Sequence, residues 1–279
     1  MRKSLIIALQ ALAYKALSYP MFRNKYFAAT DVGLQRDNNE DAYFGSPRAG
    51  LWVVADGMGG HAAGEVASAL VVETIHREIS KGESLENAIK KSHHDILSAA
   101  NSGVGGIGMG STVIALHSTD HAYKICWVGD SRAYLLSQPS NENESLELRQ
   151  LSTDHSYVQM LFQSGAITEA ELDTHPEKNI ITQCLGSVEL PEVQVDQIVG
   201  EWPEKSKILL CSDGLSDVVT SDQIKQIIND NADPQRAIDA LIRSALDAGG
   251  KDNITAAIIE APCRTQLLFQ KIKKRLVSL

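Results

Sequence analysis

Cysteine is scarce in this 279-residue chain, and the four present stand far apart. Cys126, Cys184, Cys211 and Cys263 form no C-x2-C pair, so neither a zinc knuckle nor a disulfide framework is encoded, and a cytoplasmic, reducing setting is expected. Positive charge is also in deficit. Lys plus Arg total 26 against 35 Asp plus Glu, a formal charge of -9, which repels a phosphate backbone, so nucleic acid is not an expected partner. Internal repeats are absent, as is any apolar run long enough to span a bilayer. What the chain does have is 43% hydrophobic residues, enough for a sizeable core, over a length that fits one domain with short appendages.

The ends differ from the middle. MRKSLIIALQALAYKALSYP has a basic start and an Ala11-Leu12-Ala13 that imitates a cleavage site, but Gln10 and Lys15 break its apolar run. Leu5, Leu9, Leu12 and Ala16 recur at helical spacing, so residues 1–24 are read as an amphipathic helical extension for docking or membrane-surface contact, with a cleaved signal as the alternative. Residues 262–279 form a second, basic amphipathic tail, for which a helix packed on the domain is the plainer reading. Residues 25–261 form the domain between them, and a monomer is expected.

Within that domain strands and helices alternate. KYFAATDVG, LWVVAD, STVIALH, AYKICWVGD, RAYLL, VQVDQIV, KILLCSD and NITAAIIE read as strands, rich in β-branched and aromatic residues. Helices are predicted near residues 64–79, 85–99, 221–230 and 234–246. The last starts with Asp233 as N-cap and Pro234 at the first helical position, and Thr168-x-x-Glu171 and Thr220-x-x-Gln223 read as capping boxes. Several strands follow one another with no helix between, which favours a mixed, antiparallel α+β architecture over a doubly wound parallel sheet.

Acidic residues recur at the ends of these strands. LWVVAD runs into Gly57, CWVGD into Ser131 and ILLCSD into Gly214, while Asp252 precedes NITAAIIE and Glu40-Asp41 form a further acidic pair. Any one Asp-Gly after a strand is an ordinary turn. Several carboxylates converging on one sheet edge repel each other unless protonated or neutralised, and a divalent cation neutralises them economically. Carboxylate and carbonyl ligands suit Mg²⁺ or Mn²⁺, whereas zinc or copper would want His or Cys clusters that the sequence lacks. Two such ions can activate a water for in-line attack on phosphorus. Arg36, four residues before Glu40, offers a guanidinium for two phosphate oxygens, although many surface arginines bind nothing.

The ordered blocks GLQRDNNEDAY, VVADGMGGHAAGE, GSTV, WVGDSRAY, LSTDHS, ITQCLG, CSDGLSD and GGKDNIT resemble the metal-dependent PPM-type protein serine/threonine phosphatases, the protein phosphatase 2C family, in its bacterial branch. The resemblance covers nearly everything between the appendages. It implies a single-domain, four-layer α-β-β-α sandwich with two central, mainly antiparallel sheets and a metal channel at one edge. It implies hydrolysis of phosphoserine and phosphothreonine on proteins with two Mn²⁺ or Mg²⁺ ions. Asp56 would bridge them, Gly57 would lend its carbonyl to the first, and Asp213 and Asp252 would bind the second. Asp130 with Asp213 would match a weaker third site. Glu40, Asp41 and Asn253 would act from behind the ligands, and Arg36 would grip phosphate. Residues 152–186 would form a flap beside the site, and a bacterial serine/threonine kinase and its substrates would be clients. The general acid in animal members is a His directly after Asp-Gly; here Met58 stands there and His61 follows three residues later, so a water is the better proton donor.

Two short motifs point elsewhere and lack their context. Cys126 to Arg132 has the Cys-x5-Arg spacing of cysteine-dependent phosphatases, but Cys126 sits inside an apolar strand and Asp130 would repel phosphate. Gly103 to Gly110 imitates a nucleotide loop, yet a helix precedes it, a strand follows and no Lys stands before Ser111-Thr112, so it reads as a turn. A non-catalytic scaffold on the same fold is the remaining competitor.

Overall fold

A computed structural model of the chain describes residues 24–60, 63–119, 121–138, 146–172 and 174–262. His61, Cys263 and both appendages, apart from Asn24 and Pro262, lie outside the described residues.

Alternation along single strands builds the layers. In β3 (Leu51–Met58), Val53 and Ala55 meet Val71 and Ile75 of α1 (Ala63–Ser80) and Ile89 and Ile96 of α2 (Leu85–Asn101). Trp52 and Val54 point the other way, into a second cluster with Ile208 and Leu210 of β10 (Lys207–Cys211) and Ala257 and Ile259 of β11 (Ile254–Glu260). Leu209 and Cys211, on the far face of β10, join a third cluster with Ile224 of α5 (Ser221–Asp230) and Ile238 and Leu241 of α6 (Pro234–Asp247). Three apolar interfaces make four layers, helix, sheet, sheet, helix. Strands buried on both faces carry continuous apolar runs, which is why LWVVA and KILLC read so clearly.

With β1 (Tyr26–Asp31), β7 (Arg132–Ser137) and β8 (Glu147–Gln150), the first sheet has the order β1-β11-β10-β7-β8. The second has the order β2-β3-β5-β6-β9, formed with β2 (Asp41–Ser46), β5 (Val113–Thr119), β6 (Ala122–Val128) and β9 (Asp196–Glu201), while the short β4 (Gly110–Ser111) pairs with the end of β3. The pairings in both sheets are antiparallel. The expected α+β sandwich is what forms.

Helix starts follow the sequence signals. The Asp233 carboxylate accepts the Gln235 and Arg236 N–H groups at 3.0 and 3.1 Å, and both expected capping boxes are present. Residues 103–109 link α2 to β4, with left-handed backbone at Gly103, Gly105 and Gly108, so the glycine run is a turn in the wrong context for a nucleotide. Not expected were β2, β8, α3 (Tyr157–Gln163) and the single-turn α4 (Asp213–Ser216).

Candidate functional site

Acidic side chains from both sheets meet at one edge of the sandwich. Asp41 begins β2 and Asp56 lies near the end of β3, and the register sets them directly opposite each other. Like charges facing across a ladder destabilise it. The first sheet supplies Asp213, heading α4 straight after β10, and Asp252, two residues before β11. Asp130 sits in the crossover from β6 to β7, where the chain passes between sheets.

Electrostatics at this edge are strained. Asp56 and Asp213 are near enough for each to shift the titration of the other. Burial, reinforced by Asp41, Asp213 and Asp130, drives the Asp56 carboxyl well above its ordinary range. Burial first, then neighbouring carboxylates, pushes Asp213 up to about 6 and Asp130 up to about 8. Asp41 rises to about 7 through burial, although Ser212 Oγ donates to its Oδ2 at 2.8 Å. Buried Glu40 Oε1, Asp41 Oδ1 and Asp213 Oδ1 have no hydrogen-bond partner. An unsatisfied buried polar atom costs about 1–3 kcal/mol, more when charged.

These orphaned oxygens fit hard divalent cations, which take oxygen ligands. Among the described residues, no three acidic, His or Cys side chains gather as a ligand group around one point. Close backbone packing also shapes the site: a Cβ on Gly57 would run into the carbonyl oxygens of Gly64 and Glu40, so only glycine brings this strand end so near α1.

Neighbouring loops are tied to this edge by one buried amide. Asn253 Oδ1 accepts the Glu40 N–H at 2.7 Å, and its Nδ2 donates to the carbonyls of Val32 and Asn38, each at 2.9 Å. The loop bearing Arg36 and Glu40 is thereby clamped to the start of β11. Arg36 Nη2 donates to Asp252 Oδ2 at 2.7 Å, with the guanidinium side chain about half exposed. Asp252 Oδ1 accepts the Asn253 N–H at 2.8 Å.

Beyond Asp213 and Asp130 lies a cleft of about 230 Å³, and Asp154, Glu169 and Lys178 are among its lining residues. Arg132 meets Asp154 through Nε and Nη2, the shortest contact being 2.7 Å, and Lys178 Nζ reaches Asp217 Oδ2 at 3.0 Å. Sequence reasoning did not single out Asp154, Lys178 or Asp217; the first lies in LSTDHS and the third in CSDGLSD, the only signal available. Cys126 is fully buried and its thiol is pushed up to about 12 by burial, so it is a core residue.

Fold and site together define a cation-requiring acidic centre at the edge of an α-β-β-α sandwich. A sequence-family profile for protein phosphatase 2C matches residues 35–239, and the Listeria monocytogenes serine/threonine phosphatase stp is 34% identical over 244 residues, spanning 83% of this chain and 93% of that protein. The chain belongs to the protein phosphatase 2C family. The crystal structure of the Mycobacterium tuberculosis serine/threonine phosphatase PstP/Ppp matches with a TM-score of 0.77 at 34% identity, covering 86% of this chain and 99% of that one. The catalytic domain of PstP in complex with two manganese ions matches with a TM-score of 0.74 at 32% identity, covering 86% and 98%.

Proposed function

We propose that this chain hydrolyses phosphoserine and phosphothreonine on proteins with the help of two divalent cations, Mn²⁺ or Mg²⁺, at the acidic edge. The observation that carries this reading is the meeting of carboxylates from both sheets, with three buried oxygens left unsatisfied. Family membership supports the same reaction. Asp56 would serve both ions, the Gly57 carbonyl the first, Asp213 and Asp252 the second, and Asp130 with Asp213 a weaker third. Such ions supply a water of lowered pKa and neutralise phosphate charge.

The remaining work belongs to the chain. Glu40 and Asp41 accept hydrogen bonds from waters at the centre and so orient them, and Asn253 fixes Glu40 in position. Arg36 presents a planar fork to two phosphate oxygens. The leaving oxygen takes its proton from water rather than from His61; an unchanged rate in His61→Ala on a phenyl phosphate with a poor leaving group is the expected outcome. Residues 152–186, which line much of the cleft, are the surface for the protein substrate. Clients are the products of a bacterial serine/threonine kinase. The phosphatase domain spans residues 25–261 and acts as a cytoplasmic monomer, with the terminal segments touching a membrane surface.

The test is hydrolysis of p-nitrophenyl phosphate and a phosphothreonine peptide with Mn²⁺ and with chelator. Activity should require the metal. Asp56→Ala and Asp213→Ala should lose nearly all of it, by more than about 100-fold, since such groups act on charge in the transition state, while Asp130→Ala should be milder. Full activity in Asp56→Ala at saturating Mn²⁺ overturns the assignment, and a folded protein inactive under both conditions is a scaffold.

A further inference from the structure

The Asp41 carboxylate is bonded across the gap between the two sheets. Asp41 starts β2 of the second sheet, while Ser212, whose hydroxyl donates to Asp41 Oδ2 at 2.8 Å, stands at the exit of β10 in the first. Ser212 and Thr255 are fully buried and Asp41 nearly so. The direction of the Ser212 proton is set by its other neighbour. The Thr255 N–H donates to Ser212 Oγ at 3.0 Å, and the Ser212 N–H donates to the Thr255 carbonyl at 3.0 Å. With a donor already aimed at its oxygen, the hydroxyl has one proton to give, and the Asp41 carboxylate takes it.

A second arm reaches Asp41 from its backbone side. Asn39 Oδ1 accepts the Asp41 N–H at 3.1 Å, and Asn39 Nδ2 donates to Thr30 Oγ1 at 2.8 Å. Thr30 faces Thr255 in the β1–β11 register, and their hydroxyls meet at 2.7 Å. The path from Asp41 through Asn39, Thr30, Thr255 and Ser212 thus closes on Asp41 again. Within this ring the two carboxylate oxygens differ: Oδ2 is held by Ser212, whereas Oδ1 is a buried oxygen without a partner. A carboxylate turns broadly about its last torsion unless one oxygen is fixed. Ser212 and Thr255 also counter the upward pull of burial on the Asp41 carboxyl.

We infer that Ser212 is a positioning residue for phosphate-ester hydrolysis: by holding Oδ2 it fixes the rotation of the Asp41 carboxylate and turns Oδ1 towards the waters of the acidic edge. The inference rests on the reading above in which Asp41 orients those waters. Asn39 steadies the same carboxylate from behind. The contribution of Ser212 passes through Asp41, so it should vanish when that carboxylate is removed.

A double-mutant cycle tests this, read by titration calorimetry with Mn²⁺ alone and by steady-state hydrolysis of p-nitrophenyl phosphate. Ser212→Ala should weaken Mn²⁺ binding and lower kcat, each by about tenfold, with KM for the ester within about twofold, because water and not phosphate loses its orientation. In Asp41→Ala, adding Ser212→Ala should change neither Mn²⁺ affinity nor kcat by more than about twofold. Asn39→Ala, at a half-buried place, gives a second cycle that does not depend on Ser212→Ala folding. It should lower kcat about threefold by itself and add nothing in Asp41→Ala. Equal losses from Ser212→Ala with and without the Asp41 carboxylate mark a merely structural residue and refute the inference, as do wild-type constants in Ser212→Ala or a raised KM with kcat intact. A wild-type chain that neither binds Mn²⁺ nor turns over the ester overturns the phosphatase reading itself, and the inference with it.

Discussion

Asp41 and Asp56 face each other across the β2–β3 ladder, where burial raises both carboxyls and Asp41 raises Asp56 further, so the protein stores instability where a cation would relieve it. Replacing one charge should therefore separate stability from function. Asp56→Asn is expected to raise the melting temperature of chelator-treated protein, by the equivalent of about 1–2 kcal/mol, while removing activity. Scanning calorimetry with and without EDTA measures this; a lower melting temperature in the variant would contradict it. Asn253→Ala should act the other way. It strands the Glu40 N–H and two loop carbonyls, so a loss of about 2–4 kcal/mol in urea unfolding is expected, with reduced turnover from a displaced Glu40. Cys126→Ser should keep its chelator-sensitive activity, because a thiol pushed up to about 12 is not a nucleophile at neutral pH. At this scale the sequence was informative about acids, since each follows or precedes an apolar strand. It was silent about the Arg132–Asp154 and Lys178–Asp217 partnerships, because no local pattern records which side chains meet after folding.

Elements became legible in proportion to their burial. β3, β5, β6, β10 and β11 are packed on both faces and announce themselves as apolar runs, whereas β2, half-buried and starting at an Asp, and the exposed edge strand β8 carry no such run. α1, α2, α5 and α6 were expected close to their observed bounds, α5 from the Thr220 capping box and α6 from Asp233 and Pro234 at its start. The single turn α4 follows from β10 needing a tight exit: a Cβ on Gly214 would meet the Asn253 carbonyl. The α1–α2 pair offers a test of pH dependence. Burial raises the Asp95 carboxyl, but hydrogen bonds from Lys91, Arg77 and Thr74 outweigh it and hold it below its ordinary value. This stabilisation is complete above the unfolded carboxylate's pKa of about 4 and is lost as pH falls through the lower folded value. Asp95→Asn should then cost about 0.5–1 kcal/mol near neutrality and flatten the loss of stability below about pH 4 in urea melts. A similar acid limb in the variant would exclude Asp95 as its source.

At the scale of the whole molecule, both sheets lend carboxylates to one edge, a convergence the strand-end acids and the family resemblance anticipated, whereas the strand order that produces it is not written in any local stretch of sequence. Cation binding should therefore stabilise the entire sandwich. At 100 times its Kd, Mn²⁺ should add about 2.7 kcal/mol, roughly 5–10 °C in melting temperature for a domain of this size. An absent shift in the wild type, or an undiminished one in Asp56→Asn, would argue against ions at this edge.

The crossover at Asp130, the turn at Asp213 and the facing pair Asp41 and Asp56 together act as a rivet through two leaves. A cation held there by Asp56 and Asp213 would pin the leaves together, so in chelator the amides of β2 and of residues 252–255 should exchange with deuterium faster than those at the opposite margin.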